Sequence, residues 1–505
     1  MQVCRLPLVW WAVLAAALAG GAWLHLRAGL SLPYPCGDEV VFYYPAQALG
    51  LHGSLASDHL YPGRTLHWMP PGYMATLALW LRGVGEGLAQ ARWLSFVLGA
   101  CALLGLTRLW LRLGLQVQGL MLLAVAFCSR HWVVMGNFVR MEALLLCLLL
   151  LALHQLWQGR TLAGAALALL GLTVHPNAIY MVLALPGLAA LAPRRSYRGR
   201  ANLAVGLLAL LVVGGYGFYV LAHWADFWHD WSYQLSSRSA EGLRVLLWRP
   251  DQAVFATALA GLAYWAWRTG RRAIGFALVA AVVFWAMRVL GQGWAYGIYN
   301  VVALTLVLGC LLAWAQAEVW PRLLARRPAL HPWATAAAAL GLMGLLIIGK
   351  IYNLPLYGRE PYFWMGMVIQ PPEKPYLTDA DRQAVLKHLY KTLPAGRRHK
   401  LYCVPEGEGM WLQPADTGRI LHVLPIFGHN LPTYFLIHRS AYADFYHEAI
   451  EETWAMLPPG QPRPAPFYTR QGTEQWWLVP VQQGRLPAYI LRVGDPRLPN
   501  QGVKN

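Results

Sequence analysis

The chain has no lysine before Lys350, so every fixed cation of the first 349 residues is an arginine. Charge of either sign is scarce. Only 13% of the 505 residues are charged, against about 25% in a soluble domain. The deficit is concentrated before residue 350, which excludes an ordinary soluble domain there. Acids are scarcest: the only carboxylates before residue 350 are Asp38, Glu39, Asp58, Glu86, Glu142, Asp226, Asp230, Glu241, Asp251 and Glu318. No Asn-x-Ser/Thr sequon occurs, which suits a bacterial source. The seven cysteines include no CxxC pair, so nothing points to a zinc or dithiol motif. Cys101, Cys128, Cys147 and Cys310 lie inside apolar runs and read as small hydrophobes.

Long apolar runs are abundant instead. They cover Pro7–Leu26, Ala91–Leu111, Gln118–Met135, Met141–Trp157, Leu162–Val174, Ala178–Leu191, Ala201–Ala222, Gln252–Trp267, Ala273–Val289, Ile298–Trp314 and Pro332–Ile351. Many have the roughly 20-residue length that a bilayer's hydrocarbon demands. The fold class expected is a polytopic α-helical membrane protein of about eleven spans. The first run is long for a signal peptide and has no evident cleavage site, so it reads as a spanning helix. Pro70–Trp80 is too short to cross, and its double proline suits a helix start at the membrane surface.

The formal charge of +18 does not indicate nucleic-acid binding. The arginines form short clusters between apolar runs, with no recognition motif. With the N-terminus in the cytoplasm, Arg108/Arg112, Arg160, Arg194/Arg195/Arg198/Arg200, Arg268/Arg271/Arg272 and Arg322/Arg326/Arg327 all fall inside, as the positive-inside rule requires. Every acid but Glu318 then falls on the outer side. Ionisable groups near membrane depth are costly and tend to be functional. The expected location is the inner membrane, with an extracytoplasmic C-terminal domain. Residues 1–351 read as the transmembrane catalytic domain and 352–505 as a soluble α/β domain. In the latter, Thr378–Leu393 and Ala441–Met456 read as helices, and Lys400–Val404, Thr433–Ile437 and Trp476–Val481 as strands.

The first outer loop carries Gly37-Asp38-Glu39 with Tyr43-Tyr44 beyond it, then His67-Trp68-Met69-Pro70-Pro71-Gly72-Tyr73. An Asp-Glu pair after the first membrane helix, followed by a Pro-Pro-x-Tyr surface helix, resembles the GT-C glycosyltransferases. The resemblance is to the protein O-mannosyltransferase and lipid A aminoarabinose transferase branch. Arg140-Met141-Glu142 and Thr173-Val174-His175-Pro176 fit the same branch, although the branch often has lysine where His175 stands. The resemblance implies a sugar taken from a polyprenyl-phosphate carrier at the outer face, with Asp38 as base and Glu39 positioning acceptor or loop. It covers most of residues 1–351 in layout and does not extend to the C-terminal part.

The chemistry agrees independently. An acceptor hydroxyl must lose a proton to a carboxylate as it attacks the anomeric carbon, and the leaving phosphate needs fixed cations. Arginine's planar fork suits phosphate. Arg64, Arg140, Arg244, Arg249 and Arg288 are the outer-side candidates, with His67, His175 and Tyr296 beside them. Arg288 has no acid near it in sequence and is favoured, while Glu142 and Tyr43 would face the acceptor or loop. Tyr299 reads as a belt aromatic. A single base implies inversion; retention would need a second carboxylate as nucleophile. No cofactor is expected, since the lipid-linked sugar is a substrate and its acceptor a lipid, glycan or protein. His223, Asp226, His229 and Asp230 are spaced for a metal, but their tryptophan neighbours favour an interfacial helix. Cys36 and Cys403 share the outer side, where a disulfide could form. Three rivals compete: a transporter or lipid flippase, a binding scaffold, and an oligosaccharide ligase or polymerase with a diphosphate-linked donor. Flippases usually show inverted repeats, and none is evident.

Overall fold

The computed structural model describes residues 8–31, 37–60, 64–65, 67, 69–115, 119–193, 200–236, 250–291, 297–348, 379–404, 419–423, 432–439, 451, 453–454, 462–470 and 474–481. Each apolar run corresponds to a helix or a helix pair. They are α1 (Leu8–Ser31), α4 (Leu88–Arg112), α5 (Leu120–Phe127) with α6 (Arg130–Asn137), α7 (Glu142–Trp157), α8 (Thr161–Leu172) and α9 (Ile179–Leu191). They continue with α10 (Arg200–Ala222), α12 (Pro250–Arg268), α13 (Arg272–Gly291), α14 (Gly297–Trp314) and α16 (His331–Ile348), the short α15 being Trp320–Leu323. Among the described residues, three helices are individually long and apolar enough to cross a bilayer, or up to five if each bent pair counts as one span. Others, such as α7 and α8, are apolar but shorter.

Two helices were not foreseen in their observed form. The run Gln118–Met135 is broken: α5 and the helix after it meet at a 60° bend. Ser129 caps α6 by accepting from Trp132 N–H at 3.3 Å. A break in a buried helix frees carbonyls that need partners. His25 of α1 supplies one, its Nε2 lying 3.0 Å from Phe127 O, while its ring stacks on Phe127. Asn137 Nδ2 holds the other ring nitrogen at 3.1 Å. The second surprise is α2 (Gly37–His52), which forms inside a proline-rich stretch and carries Pro45 within it. It ends at Gly53, whose φ of 70° is the left-handed conformation that glycine adopts without strain.

After α10 the chain turns by 91° into α11 (Trp224–Ser236). There Trp224 stacks on Phe227 and Trp228, and Phe227 on Trp231. Trp224 and Trp228 are exposed on this helix.

Contacts divide the chain into two compact units. The first comprises Met1–Leu26, Trp68–Tyr73 and Trp93–Tyr357. The second comprises Arg27–His67, Met74–Arg92 and Gly358–Asn505. In the second, a five-stranded sheet has β1 (His399–Val404), β2 (Ile420–His422), β3 (Tyr434–Arg439), β4 (Tyr468–Arg470) and β5 (Glu474–Pro480) in the order β2-β1-β3-β5-β4. The β2-β1-β3 part is parallel and β3-β5-β4 antiparallel. Helix α17 (Asp379–Thr392) packs Val385, Leu386 and Leu389 against Leu401, Leu436 and Trp476. Arg419 closes its C-terminus by donating to Tyr390 O at 2.6 Å and Leu393 O at 2.9 Å, where the helix dipole favours a cation. The helix read at Ala441–Met456 lies mostly outside the described residues. The strands Ile420–His422 and Tyr468–Arg470 are too short to have been read from sequence.

Candidate functional site

The expected residues fall into two groups, one in each unit. In the second unit, residue 38 is the second residue of α2; the Asp38 side chain lies outside what is described. Glu39 follows it and is fully buried. Both of its oxygens are taken by Arg92 of α4, Nε at 2.9 Å and Nη2 at 2.7 Å, in a bidentate pair. Sequence reasoning missed Arg92. The signal available was that a buried carboxylate needs a cation, and an arginine stands at the start of the next apolar run. Tyr43 and Tyr44 are buried beside Glu39 in the same helix, and Tyr44 stacks flat on His59 with ring centroids 3.7 Å apart. Burial, with Cys403 and Tyr43 nearby, pushes the Tyr44 hydroxyl far above the usual phenol range, so it stays protonated. Helix α3 (Gly72–Val84) holds the end of α2: Arg82 donates to Gly50 O through Nε at 3.1 Å and Nη2 at 2.8 Å. His67 is buried and Arg64 half-buried in this unit.

In the first unit, Arg140 and Glu142 form a fork at the start of α7. Arg140 Nη2 donates to Glu142 Oε1 at 2.9 Å, and its Nε lies 3.1–3.2 Å from both oxygens. Both residues are buried. His175 is fully buried and lies within electrostatic reach of Glu142. It caps the 3₁₀ turn Pro176–Ala178, its Nδ1 accepting from Asn177 N–H at 2.9 Å. That bond leaves Nδ1 unprotonated and places the ring proton of the neutral form on Nε2. In the same turn, Asn177 Nδ2 is buried with no partner among the described residues.

Helix packing brings the end of α13 that bears Arg288 towards this cluster. Arg272 at the start of α13 donates to Ala190 O at the end of α9, and a Cβ on Gly275 would meet Leu191. The two helices therefore run antiparallel. The turn that starts α9, capped by His175, lies against the opposite end of α13, where the half-buried Arg288 stands. Phe284, one turn earlier on the same face, stacks on Tyr299 of α14. Tyr296, Arg244, Arg249 and Cys36 lie outside the described residues, while Cys403 is buried in the core of the sheet. Asp230 is buried and its Oδ1 is 3.2 Å from His229 Nδ1. No group of three or more metal-ligating side chains occurs among the described residues.

Two of the sequence motifs touch each other in this unit. Gly72 N–H, from the Pro70-Pro71-Gly72-Tyr73 motif, donates to Thr173 O at 2.6 Å. A Cβ on Gly72 would lie 2.5 Å from that oxygen. Both sides of this contact are backbone, so neither can rotate away. Gly72→Ala should therefore destabilise the protein by roughly 1–3 kcal/mol, as overpacking does, read as a lower melting temperature in detergent. A variant as stable as wild type would show that the turn yields freely.

No family model matches the chain, and no curated protein matches it. Solved structures do. ArnT from Cupriavidus metallidurans in the apo state is 13% identical, with 96% of this chain and 99% of that chain covered and a TM-score of 0.51. The same protein bound to undecaprenyl phosphate is 13% identical over 93% of this chain and 98% of that chain, with a TM-score of 0.51. The Archaeoglobus fulgidus oligosaccharyltransferase is 13% identical over 83% of this chain and 67% of that chain, at a TM-score of 0.41. The likeness to these structures is one of fold. The chain has the fold of ArnT along nearly its whole length.

Proposed function

We propose that the protein is a membrane glycosyltransferase that moves one sugar from a polyprenyl-phosphate carrier to an acceptor hydroxyl at the outer face of the inner membrane. The observation that carries this reading is the buried Arg140–Glu142 fork with His175 in electrostatic reach, beside the end of α13 that bears Arg288. Cations and polar donors collected in an apolar bundle suit a phosphate that becomes more negative as its bond to the sugar breaks. In this reading Arg288 takes the phosphate, Glu142 orients Arg140, and His175 and Asn177 offer further donors. Asp38 removes the acceptor's proton as the oxygen attacks the anomeric carbon, so the product is inverted. The ArnT structure with undecaprenyl phosphate supports the choice of carrier class. In this reading the C-terminal domain lies on the outer side together with the first loop. No metal or cofactor takes part in this scheme.

The decisive experiment compares lipids and glycans from cells with and without the gene by mass spectrometry. A species lighter by one sugar residue in the deletion strain is expected; identical profiles would defeat the proposal. Arg288→Gln separates the phosphate role from snorkelling to the headgroups. It should weaken undecaprenyl phosphate binding by about 10-fold or more, the worth of one charged hydrogen bond, with expression intact. Unchanged binding in a direct titration would return Arg288 to the headgroup role.

A further inference from the structure

The other end of α13 carries a second, separate set of arginines. Arg272 and Arg288 are sixteen residues apart on one helix, so the two ends lie about 24 Å apart at 1.5 Å per residue. Between the C-terminal ends of α12 and α14 is a cleft of about 730 Å³. Two arginines that are far apart in sequence line it: Arg268 at the end of α12 and Arg322 on the continuation of α14. The single acid in the cleft, Glu318, is already engaged. It accepts from Trp265 Nε1 at 3.2 Å and from Arg322 Nη2 at 3.1 Å. Arg271 stacks its guanidinium over Trp265, 4.8 Å from the ring centroid. Arg268 lines the cleft with no ion-pair partner among the described residues. The backbone here is a π-helical turn, Ala315–Val319, a local widening that recurs at functional sites.

We infer that this cleft binds the headgroup of an anionic phospholipid, with Arg268 and Arg322 on the phosphate and Trp265, Trp314 and Leu323 against the glycerol and upper acyl chain. Two cations, Arg268 and Arg322, line the cleft against one acid, so the complementary ligand is an anion. The rest of the wall is apolar and aromatic, and Leu323 and Tyr264 remain exposed outside the bundle, which selects an amphiphile over a free ion. Basic pockets between membrane helices hold anionic headgroups by this combination. The inference needs only that the chain sits in a bilayer, and it is independent of the transfer reaction.

The test is native mass spectrometry of the full-length protein in detergent, titrated with phosphatidylglycerol, phosphatidylcholine or inorganic phosphate. Wild type should retain phosphatidylglycerol in preference to phosphatidylcholine, and millimolar inorganic phosphate should not displace it. Arg268→Gln and Arg322→Gln should each lower retention about five-fold, while Arg268→Lys with Arg322→Lys should largely keep it. Equal retention of the two lipids by wild type would overturn the inference, and that result needs no variant to fold. So would full retention by the double glutamine variant, or displacement by inorganic phosphate, which would make the ligand a free anion. Lipid retention is read without transfer activity, so failure of the glycosyltransferase reading leaves this test intact.

Discussion

Asp38→Asn should lower sugar transfer by about 10²-fold or more, the usual contribution of a positioned general base. The substitution keeps the size of the side chain and much of its hydrogen bonding. It removes only the basic oxygen, so protein yield, melting temperature and undecaprenyl phosphate binding should stay close to wild type. The structure sharpens what the residual rate means. In the sequence alone Glu39 is an obvious substitute, one residue away. In the fold it is fully buried, with both oxygens engaged by Arg92. It is therefore not available to take a proton from an acceptor. The residual rate of Asp38→Asn should be unaffected by whether residue 39 is Glu or Gln, provided the protein still folds. Near-normal transfer by Asp38→Asn, measured in membranes with the lipid-linked donor, would remove Asp38 from the mechanism.

The second large effect is structural. Arg92→Met keeps the length of the side chain but leaves the Glu39 carboxylate buried without its cation. Breaking a buried pair from one side costs about 3–5 kcal/mol, whereas replacing both partners with apolar residues is often neutral. Arg92→Met alone should therefore lower stability sharply, and Glu39→Leu combined with Arg92→Met should recover most of it. Thermal unfolding of the four members of this cycle in one detergent measures the coupling directly. If Arg92→Met alone unfolds at the wild-type temperature, the pair contributes nothing and α2 is held by its tyrosines. Because α2 carries Asp38, a weakened pair should also reduce transfer, through position rather than chemistry.

Several features of this protein could be read from composition and period alone. The apolar runs coincide with helices to within a few residues because a bilayer imposes a length and a polarity on each segment separately. For the same reason α17 and three of the five strands could be read from their own residues. The Gly37-Asp38-Glu39 and Pro70-Pro71-Gly72-Tyr73 signals were legible as motifs, and the fold found is like that of ArnT.

What the sequence could not show is who meets whom. The break at Cys128–Ser129 depends on His25, about a hundred positions earlier, to satisfy Phe127 O. The burial of Glu39 depends on Arg92, 53 residues later. Gly72 is required because the Thr173 carbonyl lies where a Cβ would go. Arg288 reaches the neighbourhood of His175 only because α9 and α13 run antiparallel, and the same packing end to end separates it from the cleft at Arg268. Hydropathy determines that a side chain is buried, because each residue's transfer out of water is its own property. Which partner satisfies a buried charge, carbonyl or glycine surface is a property of pairs far apart in the chain, and only the tertiary structure decides it.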